Sequence, residues 1–209
     1  MDLFLILLKK EFLDFYKKKQ NLFLLIFIAL FLIIAPFFSF NLPNERVFTL
    51  KNNGFICVIL TSVVVISQIF FDGCKNDFQN GGTLFLINLN AGIVKSALAK
   101  SFIAGLVGVF LFFINSFELY KTLSFVHIPW IFCFYIFIGL LSYLMAMFAR
   151  QSSFLIFVVD EVLGLVFFVI LLFFRNPVVN FLLSFIVCLI CLWLLKHVYN
   201  SKPFRIMLN

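Results

Sequence analysis

The chain predicts an all-α polytopic membrane protein: six transmembrane helices behind an N-terminal amphipathic helix at the membrane interface, folded as a single membrane domain over 1–209. Three observations carry that expectation. Hydrophobic residues make up 64% of the 209 positions and charged residues 12%, about half the charged share of a soluble domain. With mean hydropathy at +1.16, a water-soluble fold would expose an insupportable apolar surface. The apolar residues also collect in six runs, each close to the roughly 20 residues that cross about 30 Å of hydrocarbon.

Residues 2–20 come first. Phe4, Leu7, Leu8, Phe12 and Phe15 recur at helical spacing, while Lys9, Lys10, Asp14, Lys17 and Lys18 take the polar side. That pattern describes an amphipathic helix lying in the interface, in contact with membrane lipids. The lysines follow the first apolar run, the reverse of a secretory signal, and no small-residue cleavage site appears, so the helix is expected to be retained.

The six spans are expected at about 22–40, 54–71, 98–117, 128–148, 154–174 and 178–195. Turn chemistry separates them: Asn41-Leu-Pro-Asn44, the polar interval 72–97, the stretch from Glu118 to Pro129, Arg150-Gln-Ser-Ser153 and Arg175-Asn-Pro177. Orientation follows from the basic residues on alternate sides. Lys9, Lys10, Lys17, Lys18, Lys19, Lys75, Lys95, Lys100, Arg150, Lys196, Lys202 and Arg205 fall on one side, and Arg46, Lys51, Lys121 and Arg175 on the other. The richer side is cytoplasmic, which places both termini and the interval 72–97 there. In a soluble chain a net charge of +7 would suggest nucleic acid; here it sets orientation, and no nucleic-acid partner is expected.

The interval 72–97 is the longest polar stretch between spans, so contact with a soluble partner is expected there. Asp77 and Gly81 stand one helical turn apart and suit the cap or break of a short interfacial helix. Leu84, Phe85, Leu86 and Ile87 then form an apolar ridge able to seat in a partner's groove. A loop that merely closes the bundle is the competing reading.

Within the fifth run, Asp160 and Glu161 are costly in hydrocarbon. Consecutive helical residues point about 100° apart, so one of the two is expected to face the bundle interior, paired or protonated. A proton or cation pathway is one reading; a span shifted toward the interface is the other. His127, beside Pro129 and Trp130, is the one weak haem-ligand candidate, against the plainer reading of an interfacial anchor. Cys188 and Cys191 have CxxC spacing, yet inside an apolar helix they read as packing.

Nothing marks an enzyme. The chain lacks a GxxxxGK[ST] phosphate loop, a nucleophile–base arrangement or a metal-ligand cluster, so no catalytic, cofactor-binding or metal residues are assigned. Any ATP-driven step requires a separate subunit.

The segment KKEF…KKKQNLFLLIF, the six runs, Asp77-Phe78-Gln79-Asn80-Gly81 and Leu98-Ala99-Lys100 together resemble the haem exporter protein B family, the permease of bacterial cytochrome c maturation. The Ala149-Arg150 turn also fits. Phe85 and Leu89-Asn90 stand where that family has acidic and Ser-Pro positions. The resemblance implies a bacterial inner-membrane protein and a cytoplasmic ABC ATPase partner that uses ATP, contacted through Asp77, Gly81, Leu84 and Lys100. It further implies other membrane subunits of the maturation system and haem as a handled ligand; a homodimer is possible. An ABC-2-type export permease for a lipid, polysaccharide or drug, and a non-transport membrane assembly protein, remain alternatives.

Overall fold

The computed structural model describes residues 3–26, 30, 47–79, 92–116, 127–149, 153–174 and 176–200. Among these every regular element is helical, with no strand. The helices are α1 (Leu3–Lys17), α2 (Val47–Gln79), α3 (Ile93–Ser116), α4 (Ile128–Phe148), α5 (Ser153–Phe173) and α6 (Pro177–Asn200). A further helical stretch over 19–26 follows α1 after a break at Lys18. Three of the described helical segments, Ile93–Phe113, Ile128–Phe148 and Pro177–Asn200, are long and apolar enough to cross a membrane. On that ground the chain is a membrane protein.

Helix α4 is the hub, packed against α2, α3, α5 and α6. Its sequence is apolar on every side, the pattern of a helix surrounded by others. Trp130, Phe134, Tyr135, Ile138, Leu141 and Tyr143 are all buried. Pro129 falls in its first turn, where a missing N–H costs nothing.

Small residues bring α3 close to α4. A Cβ added to Gly139 would stand 2.8 Å from Ser101 Cα and 2.9 Å from the Ala104 methyl. Gly105 and Gly108 face Phe132 and Tyr135 in the same way. Where lipid removes the usual hydrophobic drive between helices, such close backbone approach supplies the packing energy.

Helix α6 is one-sided. Asn180, Ser184, Cys188, Cys191 and Leu195 are buried at helical spacing, while Leu182, Phe185, Ile186, Leu189, Ile190 and Trp193 are exposed. Its start is capped by Asn176, whose Oδ1 accepts the Val178 N–H at 2.9 Å, with Pro177 as first residue. The CxxC cysteines thus sit on the packing face, free thiols both.

Three features differ from the sequence expectation. Helix α2 has 33 residues, about 50 Å of helix, and passes beyond 54–71 at both ends. Its final turns stay helical because Cys74 is fully buried and the Phe78 ring meets Tyr143 edge-on at 5.2 Å. Asp77 therefore belongs to the last turn of α2 and not to a loop. Helix α3 likewise starts at Ile93, ahead of the expected 98, because Ile93 and Ala97 are already buried; Gly92 turns the chain into it with φ of 67°. Gly81, Leu84 and the apolar ridge lie outside the described residues, as does most of the expected first span.

The third difference is in α1. Its inward stripe runs Phe4, Leu7, Leu8, Glu11 and Phe15, with Leu7 and Glu11 buried, while Phe12 is 56% exposed. The helix is rotated so that an acid, not a phenylalanine, points inward, because a lysine waits there.

Candidate functional site

That lysine is Lys100, about two turns into α3 and 8% exposed. Its Nζ lies 3.0 Å from Glu11 Oε2 on α1 and 2.5 Å from Asp77 Oδ2 on α2. The other oxygen of Glu11, Oε1, meets Lys10 Nζ at 3.4 Å, and Lys10 reaches Asp14 Oδ2 at 3.5 Å. Charges alternate Asp14, Lys10, Glu11, Lys100, Asp77, so the row joins three helices without placing like charges side by side. Burial is tolerable for such groups only when they are paired.

Apolar contacts flank the bridge. Leu7 of α1 packs with Ala99 of α3 and Phe4, and Phe15 stacks on Phe70 of α2 with ring centroids 6.1 Å apart. A cavity of about 230 Å³ opens beside them, lined by α1, the stretch after it, α2 and α3.

A second polar centre lies deeper. Asp160 of α5 is 1% exposed, and its Oδ2 accepts hydrogen bonds from Ser67 Oγ of α2 and Ser142 Oγ of α4, each at 2.7 Å. Oδ1 is buried with no hydrogen-bond partner among the described residues. Three helices meet on one carboxyl oxygen. Glu161 points elsewhere, as its turn of about 100° requires, and shares neither serine; its Oε1 is also buried with no hydrogen-bond partner among the described residues.

His127 sits at the start of α4, where Nδ1 accepts the Trp130 Nε1–H at 3.0 Å. Burial holds its imidazole pKa below the ordinary range, and a neutral ring that accepts at Nδ1 carries its proton on Nε2. A metal or haem iron approaching Nε2 would have to displace that proton and break the Trp130 bond. Among the described residues no three His, Cys, Asp or Glu groups gather as a metal site.

Of the residues singled out in the sequence, Asp77 and Lys100 meet in the bridge, Asp160 lies apart from them in the bundle, and His127 stands at the start of α4. Glu11, Ser67 and Ser142 escaped the sequence reading. Glu11 carried a signal, since it stands four residues from both Leu7 and Phe15 on the inward stripe. The serines carried none: buried serines are common between membrane helices, and only the fold shows which of them meet an acid.

Compared with protein-family models, with curated proteins and with solved structures, the chain matches none.

Proposed function

We propose that the protein is the six-span permease subunit of an ABC-type transporter, placed in the bacterial inner membrane with both termini in the cytoplasm. In this proposal it works with a separate cytoplasmic ATPase in cytochrome c biogenesis. The reading rests on the resemblance carried by KKEF, Asp77 to Gly81 and Leu98-Ala99-Lys100. One structural observation supports it most: Lys100 ties Glu11 of α1 to Asp77 of α2. In this mechanism ATP-driven movement of the partner reaches the chain at the end of α2 and the segment after it. The charge bridge then passes that movement to α1 and α3 as one body, because breaking a buried pair is costly. Asp160, held by α2 and α4, carries it onward to α5. Haem is the proposed cargo, either crossing with this subunit's help or leaving on a haem-loaded chaperone.

Deletion of the gene in its own host, followed by haem staining of c-type cytochromes and complementation, tests the reading. Loss of holo-cytochromes, restored by the wild-type chain, is the expected result. Normal cytochromes would point instead to an ABC-2 exporter of a lipid, polysaccharide or drug, or to an assembly protein without transport.

A further inference from the structure

We propose that the cavity beside the charge bridge binds the phosphate group of an anionic phospholipid. The inference is independent of the function proposed above.

The cavity's charges are unevenly satisfied. Each of its three acids has a lysine partner, Glu11 and Asp77 sharing Lys100 and Asp14 meeting Lys10, so that with Lys17 and Lys18 four ammonium groups stand against three carboxylates. Lys17 and Lys18 also line it, yet among the described residues neither has an acidic partner within ion-pair distance. Both side chains are exposed, so their ammonium groups can turn to an anion that enters the cavity. Asn21, whose amide can donate to a phosphate oxygen, stands on the same wall. Gly73 of α2 lines the cavity, and a Cβ there would stand 4.0 Å from Lys18 Nζ, in ordinary van der Waals contact, so only a larger side chain would fill the space.

The surroundings identify the anion as a lipid. Phe15, Ile69, Phe70 and Ile103 give the cavity apolar walls, suited to a glycerol backbone and the first carbons of acyl chains. On the outside of α1, Leu5, Ile6, Phe12, Leu13 and Tyr16 are exposed, so the helix that forms one wall also presents apolar surface to its environment. An interfacial helix of this kind sits at headgroup level, where basic pockets between membrane helices take anionic headgroups. Lysine stems lie along apolar surface while their ammonium groups reach the phosphate layer.

The test uses the full-length protein in detergent and native mass spectrometry, with phosphatidylglycerol and phosphatidylcholine as probes and inorganic phosphate as competitor. Wild type is expected to retain phosphatidylglycerol in preference to phosphatidylcholine, with inorganic phosphate failing to displace it. Lys17→Ala/Lys18→Ala is expected to weaken retention about tenfold or more, and Lys17→Arg/Lys18→Arg to preserve it. Gly73→Leu, which keeps every charge but fills the cavity, is expected to weaken retention as the alanine pair does. Lys9→Ala/Lys19→Ala removes equal charge away from the cavity and is expected to leave binding unchanged. Equal loss in that control, unchanged retention in Gly73→Leu, or full displacement by inorganic phosphate would each overturn the proposal.

Discussion

The ammonium of Lys100 on α3 stands 3.0 Å from the carboxylate of Glu11 on α1, and the two side chains are only 10% and 7% exposed. Because Asp77 joins the same ammonium from α2, one lysine holds three helices that sequence order keeps far apart. Its removal leaves Asp77 without this partner and Glu11 with Lys10 alone.

Lys100→Met is therefore expected to cost about 3 kcal/mol or more. Adding Glu11→Gln to it removes a buried charge that has lost its nearer partner and is expected to recover part of the loss. Unfolding of the four proteins of this double-mutant cycle in detergent measures the coupling, expected at about 1–3 kcal/mol. Additive single effects would contradict a direct pair.

At Asp160 the expectation turns on shape and hydrogen bonding together. Asp160→Asn keeps an oxygen that can accept the Ser67 and Ser142 hydroxyls, and should stay within about 1 kcal/mol of wild type. Asp160→Leu leaves both hydroxyls buried without that partner, at about 1–3 kcal/mol in total. The same detergent unfolding assay distinguishes the two variants.

Two glycines should respond to alanine for different reasons. Gly139→Ala drives a methyl toward Ser101 Cα, a backbone atom that cannot rotate away, so α3 and α4 must separate, at about 1–3 kcal/mol. Gly92→Ala meets nothing within 4 Å, and its cost of about 1–2 kcal/mol comes from the positive φ alone. Cysteine cross-linking between α3 and α4 should lose efficiency in the first variant and keep it in the second.

His127 gives a pH dependence with a definite sign. Burial favours its neutral form and lowers its pKa from 6.5, so the folded protein takes up this proton at lower pH than the unfolded chain does. The stability it contributes is complete above the unfolded value and is lost as pH falls below it. Because burial is the cause of the shift, Trp130→Phe, which removes the donor to Nδ1 but keeps an aromatic ring, should leave the pKa below 6.5, as imidazole nitrogen shifts in NMR would record.

Much of the fold was legible because hydrocarbon imposes length and composition: the runs at 128–148 and 178–195 stand out from any side. Ends were less legible. Asp72, Lys75 and Asp77 make the end of α2 read as loop, yet Cys74 and Phe78 keep an apolar stripe on the bundle side, a signal too sparse to outweigh three charges. Lys100 was visible as a residue of interest through resemblance alone. Its partner Glu11 shares the helical stripe of Leu7 and Phe15, but the stripe alone does not show that the acid turns inward in place of Phe12. The meeting of Ser67, Ser142 and Asp160 depends on helix rotation and depth, which side-chain periodicity does not specify.

The most direct measurement is affinity purification of the detergent-solubilised protein from its host, with bound subunits identified by mass spectrometry, for wild type, Asp77→Ala and Lys100→Met. The account predicts that an ABC ATPase and cytochrome c maturation subunits co-purify with wild type, and that the ATPase is lost or reduced in both variants while the chain itself remains in the membrane. Purification without any ATPase would contradict coupled transport. Recovery of an ATPase unconnected to cytochrome c maturation would contradict the haem-handling role.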